Sequence, residues 1–360
     1  MDCSLHSQPP KAVSDSLDNV TCHRSSADRP REKFRQHRWL IWMFKASVAL
    51  LLLGWLVWSD RMNLENLTRL APSFGFVGFC TLVLFSMLLP AIRWWYLLRI
   101  QKLDAPLWRT MRLSWFAYLV GTFTPGLVGG DVLKAFVVLK QQADGRGRAL
   151  STVFLDRLLG LLGLLFLGTV SALWMVLRNP DSRPHQQLAF VTVGLFATAL
   201  TSFLLAAWSR TQAIFLPLLP SRWRPTVGEA ISLYSCRWPA VLLCAALSVV
   251  AHAIAFLALF VASVLLRHEV TVGTIFQTAP LIHLANYLPI TPGGLGVGEA
   301  AGDQLLSSFG FEGGAEIVFL VRLTTIAMCL PVVVYGKLRT DQQSRDRQQA
   351  GVHLAGSASE

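Results

Sequence analysis

The chain has 360 residues, of which 53% are hydrophobic and 15% charged, and a formal net charge of +11. Its mean hydropathy is +0.48. Soluble domains carry about 25% charged residues, so this composition excludes a water-soluble globular protein and indicates an integral membrane protein. A basic excess ordinarily suggests nucleic acid, but its placement along this chain ties it to membrane orientation, and no nucleic-acid partner is expected. The cysteines, Cys3, Cys22, Cys80, Cys236, Cys244 and Cys329, show no CxxC or His-paired spacing and lie mostly in apolar runs. They read as small packing residues, which argues against a metal site or a disulfide framework; no cofactor is expected.

Taken in chain order, residues 1–38 are polar, lack helical periodicity and read as a disordered basic cytoplasmic tail. The apolar run from Trp39 is long, holds Trp55 and Trp58, and lacks an A-x-A-like cleavage site, so it reads as an uncleaved span. Crossing the hydrocarbon core takes about 20 apolar residues as helix. Six segments qualify: 39–59, 74–97, 150–177, 188–208, 239–266 and 315–338. Two more apolar stretches, 107–123 and 274–289, run into Thr-Pro-Gly breaks and are followed by short helical arms at 130–140 and 298–309. Those arms reach only about 15–18 Å at ~1.5 Å per residue, so each break reads as the tip of a re-entrant hairpin. Residues 222–237 are expected to lie along the cytoplasmic surface. Residues 339–360 form a second polar cytoplasmic tail.

Lysine and arginine placement sets the orientation. With both termini cytoplasmic and each hairpin returning to its own side, the cytoplasmic segments hold 22 basic residues and the outer segments 5. Five more, Lys45, Arg93, Lys134, Arg157 and Arg322, fall inside the apolar segments. Arg93, in "IRWWYLLR", is expected to snorkel to the cytoplasmic interface. Lys134, three residues beyond Asp131, is expected to pair with it.

The breaks belong to a longer repeat. Thr124-Pro125-Gly126 recurs as Thr291-Pro292-Gly293 at an offset of 167, and "FLDRL" at 154–158 recurs as "FLVRL" at 319–323 at an offset of 165. Each half, 39–177 and 188–338, contains three crossings, a break, a carboxylate (Asp131 or Glu299) and a span bearing an arginine (Arg157 or Arg322). An odd number of crossings inverts the second half relative to the first, the plan in which broken helices build a substrate site at the repeat interface. The expected fold is therefore an all-α polytopic membrane domain over 39–338, with an inverted-topology repeat, six full spans and two opposed re-entrant helical hairpins.

Broken backbone at membrane depth survives only where it is buried in protein or lines a wet cavity. A buried arginine needs a partner, since it costs about 2.5–3.5 kcal/mol or more at a helix centre. Asp131 is the expected partner of Arg157, and Glu299 of Arg322. Either arginine can also grip a phosphate by two-point contact, and either carboxylate can cap its short arm. The candidate substrate-binding set is Thr124, Pro125, Gly126, Gly129, Gly130, Asp131 and Arg157 in the first half, with Asn286, Thr291, Pro292, Gly293, Gly294, Gly296, Gly298, Glu299 and Arg322 in the second. No catalytic or metal-ligating residue stands out. His283 and Asn286 read as packed polar groups, and Gly160, Gly163 and Gly168 as points of close helix packing.

"TPGLVGGDVLKAFVV", "FLDRLLGL" and "LPITPGGLGVGEA" resemble the lysylphosphatidylglycerol synthase transmembrane-region, or flippase-like domain, family, over roughly residues 40–338. The resemblance implies movement of a modified lipid to the outer leaflet. The soluble domain that makes the aminoacyl lipid has no counterpart in this sequence, so synthase activity does not carry over, and a separate lipid-modifying enzyme is a possible partner. The expectation is a lipid flippase of the cell (inner) membrane, moving an anionic phospholipid or lipid-linked substrate, and not an enzyme. The alternatives are a membrane-embedded transferase acting on a polyprenyl-linked sugar and a non-transporting scaffold.

Overall fold

A computed structural model describes residues 74–103, 105–124, 128–141, 146–207 and 236–332, with a few isolated positions elsewhere. The expected first span at 39–59, both tails, most of the expected surface segment at 222–237, and Pro125 and Gly126 of the first break lie outside these residues. The described residues form helices and connecting turns and contain no strand. They belong to one compact unit, Phe44–Glu360.

Nine helices can be numbered among the described residues. They are α1 (Phe74–Ile100), α2 (Leu107–Thr122), α3 (Val128–Gln141), α4 (Arg146–Arg178) and α5 (Arg183–Ala207), followed by α6 (Trp238–Leu265), α7 (Val272–Asn286), α8 (Val297–Ser307) and α9 (Gly314–Val332). Five of them, α1, α4, α5, α6 and α9, are long and apolar enough to cross a membrane. The chain is thus a multi-pass membrane protein. By contrast α2, α3, α7 and α8 have 16, 14, 15 and 11 residues. They extend about 17–24 Å each, short of the ~30 Å core.

Local signals set several ends. Thr271 caps α7, its hydroxyl accepting from Thr274 N–H at 3.2 Å. Pro239 occupies the first turn of α6, where its missing N–H costs nothing. Small residues then let helices approach closely, as the sequence suggested. A Cβ on Gly163 would overlap Ser248 of α6, and one on Gly168 would overlap Pro280 of α7. Gly302 and Gly314 stand against each other's backbone where α8 crosses α9. These contacts draw α4 against α6 and α7, and α8 against α9.

The main core gathers Phe79 and Val83 of α1, Leu164 of α4, Phe256 and Leu259 of α6, and Ile275 and Ile282 of α7, with Leu306, Ile317 and Leu320 from α8 and α9. A second cluster joins Trp94 and Leu98 of α1 to Val138 of α3 and Val153 of α4. α1 packs broadly along α6, and α4 packs on both α6 and α7. Between these clusters the apolar contact is interrupted by charged side chains, and that interruption is the cavity described next.

Candidate functional site: a charged cavity beside two helix breaks

The breaks lie between α2 and α3 and between α7 and α8, and they touch. Gly293 N–H donates to Thr124 O at 2.8 Å, so the backbone of one break satisfies a group exposed by the other. Gly293 and Gly294 hold φ of +59° and +70°, a conformation that L side chains rarely adopt. Space is closed there as well: a Cβ on Gly293 would overlap the Thr122 backbone, and one on Gly294 the Asn286 backbone. In the first break Thr124 Oγ1 accepts from Gly129 N–H at 3.1 Å and so caps α3. Gly130 packs against Ala117 O of α2. Thr291 is fully buried, with no hydrogen-bond partner for its hydroxyl among the described residues.

Arg322 of α9 lies inside the second break. Its Nε donates to Glu299 Oε1 at 2.6 Å, Nη1 to Gly293 O at 2.6 Å and Nη2 to Asn286 Oδ1 at 2.6 Å. Nη2 also reaches Gly294 O at 3.2 Å and Glu299 Oε2 at 3.3 Å. Glu299 Oε2 accepts from Gly296 N–H at 2.8 Å, so this carboxylate caps α8 and pairs with the arginine at once. Glu299 is 0% exposed and Arg322 8%. Among the described residues the Gly293 carbonyl receives no backbone N–H, and the guanidinium supplies its donor, whereas Gly294 O also accepts from Val297 and Gly298 N–H at 3.1 and 3.0 Å.

Arg157 of α4 sits more openly. Its Nη2 lies 2.5 Å from Asp131 Oδ1, an ion pair. Its Nη1 donates to Tyr287 OH at 3.2 Å, and its Nε has no partner among the described residues. The guanidinium carbon stands 5.6 Å from the centre of the Tyr287 ring. The Arg157 side chain is 40% exposed and that of Asp131 22%. Tyr287 caps α7, so this first-half arginine reaches across to the second break.

Two expectations are corrected. Arg93 does not snorkel: it is 5% exposed, donating from Nε to Asp156 Oδ1 at 2.8 Å and from Nη1 to Ser248 Oγ at 2.6 Å. α1 runs to Ile100, so Arg93 lies two turns inside it, and α4 and α6 supply acceptors where the surface would otherwise be needed. The ion pair of Lys134 is with Asp156, its Nζ 3.9 Å from Oδ2, and the ammonium rests 4.7 Å from the centre of the Trp94 ring. Asp131 is turned to Arg157 instead. Neither Asp156 nor Tyr287 was among the sequence candidates; their partners lie on other helices, and no spacing along the chain encodes them.

These groups surround a cavity of about 560 Å³, within the ~300–1,000 Å³ usual for ligand sites. Arg93, Lys134, Asp156, Arg157 and Arg322 line it, with Asn286 and Tyr287 at the second break and His252 and His283 from α6 and α7. Most of the remaining wall is apolar. Asn286, Gly130, Arg157 and Arg322 of the candidate set therefore share one cavity. Gly293, Gly294 and Gly296 form the turn of the second break, with Gly298 and Glu299 in the first turn of α8 and Gly129 in the first turn of α3. Among the described residues no three His, Cys, Asp or Glu side chains are grouped to hold a metal ion, and Cys80, Cys236, Cys244 and Cys329 are free.

Fold and site together define a class: a polytopic helical membrane protein with short broken helices meeting at a charged cavity. The family follows from the sequence match. Residues 42–333 match the model of the lysylphosphatidylglycerol synthase TM region, and the chain belongs to that family. Membership ties it to a lipid-related role in a membrane. Comparison with curated proteins gives no match.

Proposed function

We propose that the protein is a lipid translocator, carrying an anionic phospholipid or lipid-linked substrate between leaflets through the cavity at the two breaks. In this reading the span at 39–59 joins the five long helices to give six crossings. The pairs α2–α3 and α7–α8 are re-entrant hairpins entering from opposite faces, and the two halves form an inverted repeat. Both termini lie in the cytoplasm and the membrane is the cell membrane, as the basic-residue bias indicates. The protein itself catalyses no covalent step. A separate lipid-modifying enzyme would supply the substrate if that lipid is a modified one.

The single observation that carries the reading is the contact between breaks, Gly293 N–H to Thr124 O, beside a cavity lined by four basic side chains. Broken backbone and buried charge are each costly in an apolar medium, and a shared wet cavity is the setting that tolerates both. Alternating access needs a site at the seam of two halves, and Arg157, touching Tyr287 across that seam, is placed to sense both.

The test is a leaflet-exchange assay with purified protein in vesicles carrying fluorescent anionic phospholipids and polyprenyl phosphates. Exchange well above protein-free vesicles, and its loss in Arg157→Gln, is expected. A folded wild-type protein that moves none of these lipids would overturn the proposal and favour a scaffold.

A further inference from the structure

Two imidazoles face the cavity and have no part in holding the breaks together. His252 sits near the middle of α6 and His283 on α7, both half-buried and both in the cavity wall. Their rings stand 6.2 Å apart, edge to face at 77°. Phe256 packs against each of them, at 6.2 Å from His252 and 5.7 Å from His283. His252 Nε2 lies 3.0 Å from Gly160 O on α4. A carbonyl only accepts, so Nε2 carries the hydrogen and the ring's lone pair is left on Nδ1.

The charged groups around the pair come from several helices, and none is a spare carboxylate. Arg93 of α1 reaches to Gly160, where a Cβ would stand 3.4 Å from its Nη2. Arg322 of α9 faces His283, and Asn286, one turn beyond that histidine, accepts from it. Asp156 of α4 is held by Arg93 at 2.8 Å, with Lys134 of α3 leaning on the same carboxylate. Glu299 of α8 is held by Arg322 at 2.6 Å. Arg157 is turned to Asp131 and Tyr287, and α2 presents Tyr118, which is uncharged. An imidazolium in the empty cavity would therefore stand between two guanidiniums with no counter-charge of its own. An anion entering the cavity supplies that counter-charge, so anion and proton each favour the binding of the other. Two imidazoliums 6.2 Å apart would repel each other, so the pair holds one proton.

Resting on the translocator reading above, we propose that His252 and His283 form a proton-binding site, and that the protein carries one proton with each anion it moves. Nδ1 of His252 takes the proton from hydronium in the wet cavity, leaving water, and gives it back to water on the other side of the membrane. His283, beside the second break, shares that proton as the cavity opens toward the break. A singly charged anion and its proton together carry no net charge. A pH gradient therefore drives the cycle, and the membrane potential does no work on it.

Purified protein in vesicles carrying fluorescent phosphatidylglycerol is brought to steady state under an imposed pH gradient, and separately under a potassium diffusion potential at equal pH. The label is expected to enrich in the leaflet facing the alkaline side, by about ten-fold per unit of pH, and to ignore the potential. His252→Gln and His283→Gln are each expected to level the two leaflets under the pH gradient, whatever their exchange rate, and to let the potential set the ratio instead. In detergent, phosphatidylglycerol added to weakly buffered wild-type protein is expected to draw a proton from a pH dye, and not to do so with either variant. A wild-type ratio that follows the potential, or neither gradient, overturns the coupling and leaves the translocator. A pH response kept by both variants places the proton on another group and overturns the histidine assignment. Proton uptake in detergent without exchange in vesicles removes the translocator and leaves the site; absence of both removes both.

Discussion

The two helix breaks share the letters Thr-Pro-Gly, a following carboxylate and a downstream arginine, yet their arginines are held in opposite ways. Arg322 uses all three of its nitrogens on Glu299, Asn286 and the carbonyls of Gly293 and Gly294, and is 8% exposed. Arg157 has one ion pair and one long hydrogen bond, an Nε unpartnered among the described residues, and a side chain 40% exposed. Arg322 has every nitrogen engaged and at most one Nη1 hydrogen to spare, whereas Arg157 keeps its Nε–H and further Nη hydrogens for a ligand. The second break therefore reads as the fixed floor of the site and the first as its working face. Sequence symmetry places the groups in pairs; packing decides which member of each pair is spare.

The comparison is most exposed to a direct test at the arginines. Removing one partner of a buried ion pair leaves the other charge uncompensated, at about 3–5 kcal/mol. Arg322→Met is thus expected to lower the melting temperature sharply and to reduce the folded fraction recovered by size-exclusion chromatography. Arg157→Gln removes a partly exposed pair worth under about 1 kcal/mol, so its melting temperature should stay near wild type while leaflet exchange falls. Equal destabilisation by the two changes would remove the distinction between floor and face.

Gly293→Ala comes next. It places a Cβ at φ +59° against the Thr122 backbone, which cannot rotate aside. Left-handed backbone costs a non-glycine residue about 1–2 kcal/mol, and overlap in a packed site adds ~1–3 kcal/mol. At Gly129 the obstacle is the Thr124 side chain including its Cβ, so the overlap remains and the cap on α3, about 0.5–2 kcal/mol, is lost, but no left-handed backbone adds to the cost. Chemical-denaturation midpoints should therefore rank Gly293→Ala below Gly129→Ala. Asn286→Leu follows at about 1.5–3 kcal/mol, the value of a hydrogen bond to a charged group, because Arg322 Nη2 loses its 2.6 Å acceptor. A double variant with Arg322→Met should then be less than additive, since the two residues act through one contact.

Much of this pairing is legible in the sequence, and the reason is local. Asp131 and Arg157, like Glu299 and Arg322, lie on consecutive helices separated by only a few residues, so repeat spacing brings them together. The ends of α2, α3, α7 and α8 fall close to the expected arms for the same reason. What the sequence does not carry is lateral packing. Arg93 and Asp156 are 63 residues apart and meet only because α1 and α4 share a face on α6, where Ser248 completes the pair. Read along its own helix, Arg93 has aromatic neighbours and a nearby chain end, which is the pattern of a snorkelling residue. Lys134 misleads in the same way: helical spacing offers Asp131, but that carboxylate is already turned to Arg157. Tyr287 could have been marked only as an aromatic at the edge of a break.

Tyr287 also gives the smallest expected change in stability and the finest test of the comparison. Tyr287→Phe deletes the hydroxyl that Arg157 Nη1 reaches at 3.2 Å and keeps the ring beneath the guanidinium. Because the arginine is partly exposed, the lost hydrogen bond should change unfolding free energy by only a few tenths of a kcal/mol. Its functional weight is set by position, not strength. The hydroxyl is the contact by which the open arginine of the first half touches the second break, and under the proposed translocator mechanism a rocking motion of one half against the other would have to remake it. Tyr287→Phe is therefore expected to slow leaflet exchange several-fold at an unchanged melting temperature. If exchange is untouched while Arg157→Gln abolishes it, Arg157 acts on the ligand alone and the seam between the breaks does not need it.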